Sequence, residues 1–190
     1  MNGPALALLA AGQSARFGAD DKLAAPFRGA MLGLHAANAL SGLAAAPRWA
    51  IVRGLGHPCI PGWRDAGFDP VVNAQADEGM AASLRLAARL AAAARAPALM
   101  ICLADMPLVP AAHYAALVDR WRAQGGTVGS CAGALVSPPA IFPTDRFAAL
   151  GALSGDRGAK ALLAGAALVE SPPGTLADID NPETLARLAT

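Results

Sequence analysis

This chain predicts an α/β fold around a largely parallel sheet, and three observations carry the prediction. Short apolar runs of strand length alternate with longer stretches of helical periodicity, the pattern of strands joined by crossover helices. One run, Ala98 to Leu103, is continuously apolar, as expected of a strand covered on both faces. A second, LALLAA from Leu6 to Ala11, empties into a glycine and then a polar loop. With 190 residues, the chain is long enough for one domain with a substantial core and short for two.

The elements follow in order. Ala5 to Leu9 reads as the first strand, Met31 to Leu43 as a helix closed near Pro47, and Trp49–Val52 and Pro70–Val72 as short strands. Between these strands, Gly54 to Gly67 is rich in Gly and Pro and reads as loop with a little helix. Gly79 to Arg95 is the clearest helix: Leu86 and Leu90 share a face at i, i+4, as do Arg85 and Arg89. Asp77 and Glu78 stand at its start, where negative charge suits the helix dipole. After the Ala98–Leu103 strand, Pro110 to Gln124 reads as a helix ended by Gly125-Gly126. Beyond Thr127 come strand-like pieces, a proline passage at Pro138-Pro139, a small helix at Ala159–Leu163 and a last helix opened by Asn181-Pro182.

Composition narrows the function. Hydrophobic residues are 55% and charged residues 15% of the chain, which argues against disorder. No uncharged run is long enough to span a membrane, and the start lacks a basic n-region, so a cytoplasmic protein is expected. A net charge of +1 gives no field for nucleic acid, so anions must be bound by a few placed cations. Cys59, Cys102 and Cys131 form no CxxC pair; Cys102 reads as a core residue. His35, His57 and His113 have no metal-ligand spacing and read as structural. No GxSxG or Cys/His arrangement supports a nucleophile.

The loop from Gly12 to Lys22 carries Ser14, Arg16, Gly18 and Lys22. Gly12 permits positive φ and close approach of a ligand, Arg16 offers a planar fork for phosphate oxygens, and Lys22 a compact mobile charge. The loop reads as a nucleotide triphosphate loop or, on its own, as a strand-to-helix loop with solvated charges. It is not a Walker A loop, because Gly18 is followed by Ala19-Asp20-Asp21, and Gly12-Gln13-Ser14 breaks the dinucleotide GxGxxG pattern. Asp105 follows the continuous strand and is stiffened by Met106-Pro107. It suits Mg²⁺, which takes one or two protein oxygens, or a turn before Pro110. In a parallel sheet it lies at the same carboxyl edge as the Gly12 loop. Asp178 and Asp180 follow a further strand-like piece, where residues i and i+2 face opposite ways. Gly155-Asp156-Arg157-Gly158 is either a tight turn or an anion site.

These segments resemble the MobA/MocA-like nucleotidyltransferases in five places taken in order. Leu9-Ala10-Ala11-Gly12 with Ser14, Arg16, Gly18 and Lys22-Leu23 resembles the family's LAAGxSxRxG loop and its following Lys-Leu. Asn73 with Gly79-Met80-Ala81-Ala82-Ser83-Leu84 is similar to its N…GMxxSL segment, and Leu103 to Pro107 to its acidic metal motif. Leu153 to Lys160 is similar to LxGDxGA(R/K), and Asp178 to Glu183 to DIDTPED, with Asn181 where threonine is frequent.

The resemblance implies a three-layer nucleotidyltransferase fold with a mostly parallel, Rossmann-like sheet. It implies Mg²⁺ on Asp105 and Asp180, with Asp178 in support, and Arg16, Lys22 and Asp105 as the catalytic set. Nucleotide contacts are expected from Leu9, Ala10, Ala11, Gly12, Ser14, Arg16, Lys22, Asn73, Gly79 and Ser83. The segment at Gly155 is expected on the acceptor side. The resemblance also implies Mo-molybdopterin as acceptor. Ala11, in an LAAG rather than LAGG loop, implies CTP as donor, and the client is expected to be a xanthine-dehydrogenase-type enzyme. The alternatives are a related transferase using a sugar phosphate or other phosphorylated acceptor, and a non-catalytic chaperone holding nucleotide or cofactor.

Overall fold

The computed structural model describes residues 3–13, 17, 21–155 and 158–189. Seven strands form one mixed sheet: β1 (Ala5–Ala10), β4 (Arg48–Val52), β5 (Asp69–Val72), β6 (Ala98–Leu103), β7 (Val128–Ala132), β8 (Leu135–Pro143) and β9 (Ala167–Glu170). Their spatial order is β5-β4-β1-β6-β8-β7-β9. The β5-β4-β1-β6 half is parallel throughout, β8 runs antiparallel to β6 and β7, and β9 is parallel to β7. The α/β reading with a mostly parallel sheet is borne out, and β1 and β6 end at the same edge.

The sheet is sandwiched by two different faces, and the period-two alternation of β1 shows how. Leu6, Leu8 and Ala10 point to one side, with Ala36, Leu40, Trp63, Tyr114 and Leu117 from α1 (Leu34–Leu40), α2 (Ile60–Asp65) and α4 (Ala111–Gln124). Ala5, Ala7 and Leu9 point to the other, beneath α3 (Met80–Ala93) and α5 (Phe147–Gly151). This second face is rich in alanine: Ala5 and Ala7 of β1 and Ala81, Ala87 and Ala91 of α3 are fully buried. Small side chains allow the helix to approach the sheet closely, so much of the chain's alanine excess is core. The last helix, α6 (Pro182–Ala189), lays Leu185 and Leu188 partly against the first face.

Several expectations need correction. The helix expected over Met31–Leu43 is shorter. It follows a small hairpin of β2 (Pro26–Phe27) and β3 (Ala30–Met31). Arg28 and Gly29 both have positive φ, 43° and 85°, as a tight primed turn requires, and an Arg-Gly pair advertises that turn poorly. The little helix in Gly54–Gly67 is α2, with Pro61 in its first turn. The Pro138-Pro139 passage lies inside β8. The piece before Asp178 is not a strand: β9 ends at Glu170 and residues 171–181 carry no regular structure. Ala159–Leu162 forms a 3-10 turn.

Arg48 closes the end of α1. Its guanidinium donates to the carbonyls of Leu40, Ser41, Leu43 and Ala66, satisfying acceptors that a helix terminus leaves open. All three cysteines are free and buried, and Cys102 is a core residue as expected, its thiol pushed above its ordinary range by complete burial.

The alanine face gives a direct test. Ala87→Leu inserts three carbons between α3 and the sheet and is expected to cost about 1–3 kcal/mol, read from the denaturation midpoint. Ala92→Leu, on an exposed position of the same helix, is expected to change stability by less than about 0.5 kcal/mol.

Candidate active site

Three distant segments meet at one ammonium group. Lys22 donates from Nζ to Asp105 Oδ2 at 2.7 Å and to Asp180 Oδ1 at 2.8 Å. The Lys22 side chain is 11% exposed, against 22% for Asp105 and 41% for Asp180, so the cation is the most enclosed of the three. Burial is the largest influence on its pKa and pulls it down. The charge and hydrogen bond of Asp105, joined by those of Asp180, outweigh that pull and leave it above its ordinary 10.5.

Each partner is placed by backbone. Asp105 follows β6, and the Ala104 amide donates to Leu9 O at 3.1 Å, tying the ends of the two central parallel strands together. Asp180 needs no strand to place it. Ile179, fully buried, donates its amide to Asp105 O at 2.9 Å. This single contact registers the two acidic segments on one another. Asp178, on the other side of Ile179, has its carboxyl held above the usual range by partial burial, then by the nearby charge of Asp180. Asn181 caps the last helix as expected, its Oδ1 accepting from the Thr184 amide at 2.8 Å.

Lys22 sits on a 3-10 turn, Lys22–Ala24, capped by Asp21 through its Oδ1 and the Leu23 amide at 2.8 Å. The Leu23 carbonyl accepts in turn from the Gly33 amide at 2.9 Å. The turn is therefore fixed from both ends, which is how a long side chain is held on two acceptors.

A cavity of about 470 Å³ opens beside this cluster at the carboxyl edge of the sheet. Leu9, Ala10, Ala11, Gly12, Lys22, Gly79, Ser83 and Asp105, all expected from sequence, line it. Gly12 does so without positive φ; no described atom lies within 4 Å of where its Cβ would stand, so an open face is what it provides. Gly79 is the position that needs glycine, with φ 91°. Asn73 does not line the cavity. It donates to Ser83 Oγ at 3.1 Å and accepts from the Gln75 amide, so it holds Ser83 in place. Ser14, Arg16, Gly18, Asp156 and Arg157 lie outside the described residues. Gly155 O accepts from the Ala81 amide at 3.2 Å, seating that loop on the start of α3.

Asp77 was expected to serve the dipole of α3. It instead belongs to a separate 3-10 turn, Ala76–Glu78, and pairs at the cavity rim with Arg53 at 2.5 Å and Gln13 at 3.1 Å. The Arg53 hydrogen bond and charge hold its carboxyl below the usual range. Arg53 follows β4 as Asp105 follows β6. A charge just past a buried strand, at the edge shared with two other motifs, was the available signal for it.

The donor set fits a divalent cation. Two carboxylate oxygens already converge on one positive centre, with the ammonium in the place of a cation. Among the described residues no group of three or more His, Cys, Asp or Glu could hold a metal. A two-carboxylate site of this kind suits an ion that completes its shell with phosphate and water. Among the described residues no helix is long and apolar enough to cross a membrane.

A family model described as the MobA-like NTP transferase domain matches residues 6–171. The chain belongs to this family. The purine catabolism protein PucB of Bacillus subtilis (strain 168) is 33% identical over 188 residues, covering 92% of this chain and 90% of PucB. Among solved structures, Rv0371c of Mycobacterium tuberculosis H37Rv is 24% identical with a TM-score of 0.80, covering 99% of this chain and 97% of that one. Rv0371c has also been solved in complex with manganese, matching at 22% identity and a TM-score of 0.77, with 99% and 98% covered. A nucleotidyl transferase from Methanothermobacter (Mth528) is 17% identical, TM-score 0.78, covering all of this chain and 97% of its own.

Two outcomes test the ammonium cluster. Lys22→Met removes the cation that the two carboxylates hold. The variant is expected to gain more thermal stability from millimolar Mn²⁺ than the parent gains; an equal or smaller gain would show that the carboxylates do not form a cation site. The second is a pH dependence. Because the folded pKa of Lys22 is raised, its stabilisation is fully present below pH 10.5 and is lost as pH rises through the higher folded value. The stability difference between parent and Lys22→Met is thus expected to be constant at neutral pH and to shrink above pH 10.5, read by urea denaturation at a series of pH values.

Proposed function

We propose that the protein transfers CMP from CTP to Mo-molybdopterin, releasing pyrophosphate and forming molybdopterin cytosine dinucleotide. The observation that carries the transferase reading is the pair Asp105 and Asp180 held on one cation at the strand edge, beside a cavity lined by Leu9 to Gly12. Ala11 in the loop favours CTP, and a relative named for purine catabolism fits a cofactor destined for a xanthine-dehydrogenase-type client. The reading places the protein in the cytoplasm.

A terminal phosphate oxygen of the acceptor attacks the α-phosphorus of CTP, the bond to the β-phosphate oxygen breaks, and pyrophosphate leaves. The nucleophile is already anionic, so no general base is required. Such a reaction depends on positioning and charge stabilisation. Asp105 and Asp180 would hold Mg²⁺, which when bound supplies Lewis-acid stabilisation of the triphosphate. Lys22 exchanges a carboxylate for a phosphate oxygen, which its flexible stem permits. Arg16 adds a second cation on sequence grounds. The backbone from Leu9 to Gly12 borders the nucleotide, Gly79 and Ser83 face it, and Asn73 acts through Ser83. Asp178, on the far side of Ile179, adds negative charge near Asp180, Asp105 and Lys22.

Purified protein with Mg²⁺, Mo-molybdopterin and each of CTP, GTP, ATP and UTP in turn is expected to release pyrophosphate with CTP alone. Asp105→Ala is expected to lower that rate by about 10³-fold or more while leaving the circular dichroism spectrum unchanged. Release with another NTP would reassign the donor. Turnover only with sugar phosphates would reassign the acceptor, and retained activity in Asp105→Ala would remove the metal assignment.

A further inference from the structure

We infer that His57 is a positioning residue that sets Lys22 on its two acceptors through Asp21. The inference rests on the role given to Lys22 above, but its geometry stands apart from the cavity. The His57 Nδ1 accepts from the Cys59 amide at 3.0 Å. An accepting Nδ1 carries no proton, so the neutral ring bears its hydrogen on Nε2. That atom is buried and lies 3.1 Å from Asp21 Oδ2, an ion-pair distance at an angle that makes no hydrogen bond between them. Asp21 thus has its two oxygens divided: Oδ1 caps the turn that presents Lys22, and Oδ2 faces the imidazole.

The ring cannot easily turn away. It stacks on Trp63 at 5.0 Å between centroids and 20° between planes. Trp63 is fully buried and its Nε1 donates to Gly33 O at 2.8 Å. Gly33 in turn donates its amide to Leu23 O, and Cys59 Sγ donates to the same carbonyl at 3.3 Å. The segment from His57 to Trp63 therefore grips the Lys22 turn at two points, its cap and its second carbonyl. A lysine reaching two carboxylates through a four-carbon stem depends on where its own backbone stands, and displacements of about 1 Å far from the chemistry can cost about 10²-fold in rate.

The test uses four variants and a readout that does not need turnover. His57→Leu keeps apolar contact with Trp63 and loses both polar contacts. In His57→Gln the amide nitrogen takes the place of Nε2. Asp21→Asn keeps the capping oxygen but offers His57 a donor where it met an acceptor. The chain has two lysines, Lys22 and Lys160, and Lys160 is exposed. Lysine-labelled protein therefore gives two side-chain NMR signals, assigned with Lys160→Arg.

In His57→Leu and Asp21→Asn the Lys22 signal is expected to move towards that of Lys160, while His57→Gln keeps it near the parent position. At saturating NTP, kcat is expected to fall at least about tenfold in the first two with KM for NTP nearly unchanged, and to recover with glutamine. A parent-like Lys22 signal in folded His57→Leu overturns the inference, as does equal loss in His57→Gln and His57→Leu. If the parent turns over no NTP, the transferase reading fails, and the NMR comparison still decides the role of His57.

Discussion

One ammonium between two carboxylates is the constraint on which the rest of this structure depends. Two unit charges of like sign about 5 Å apart repel by about 3 kcal/mol at an effective dielectric of about 20, so a cation between Asp105 and Asp180 offsets a cost that their shared edge would otherwise carry. Lys22 supplies it. The carboxylates are carried on the backbone contact between Ile179 and Asp105, the lysine on a capped turn held from the α2 side. Burial opposes the charge on Lys22 and the acids restore it, so the cluster is balanced rather than inert. A charge held in this way can be handed from one anion to another when a more highly charged ligand arrives.

The fold makes that convergence possible by bringing strand ends together. β1 and β6 are neighbours and parallel, so the loops after Leu9 and Leu103 emerge at one place, and Arg53 after β4 emerges beside them. The two faces of the sheet are unequal. The side that carries the Lys22 turn is dominated by larger side chains, and the side under α3 is richer in alanine, interleaved with residues such as Trp49, Leu84 and Phe142. Close packing of α3 places Gly79 and Ser83 over the end of β1, and the positive φ of Gly79 turns the chain from the Asp77 turn into the helix.

Where the chain was legible depended on the kind of signal. Periodicity showed the strands at Ala5 and Ala98 and the helices α3 and α4 within a residue or two, because those elements bury one or both faces. Motif order led to most of the cavity lining and to Lys22, Asp105 and Asp180, because ligand-facing residues cluster at strand ends. What escaped was set by tertiary contact. The Arg28-Gly29 hairpin has little local signal, and Asp180 is placed by a buried isoleucine rather than by a strand. Asp77 gives its charge to Arg53 across 24 residues of sequence instead of to the helix that follows it. His57 carried no spacing that could have linked it to Asp21. Its partner lies in another loop, and the shared wall of Trp63, Gly33 and Leu23 brings them together.

The most direct measurement is a crystal structure of the protein with Mn²⁺ and a CTP analogue whose α–β bridge resists cleavage, with the metal located by its anomalous signal. Mn²⁺ is expected on oxygens of both Asp105 and Asp180, with Lys22 Nζ moved onto a phosphate oxygen. Lys22 still donating to both carboxylates, with metal and nucleotide bound elsewhere, would contradict it.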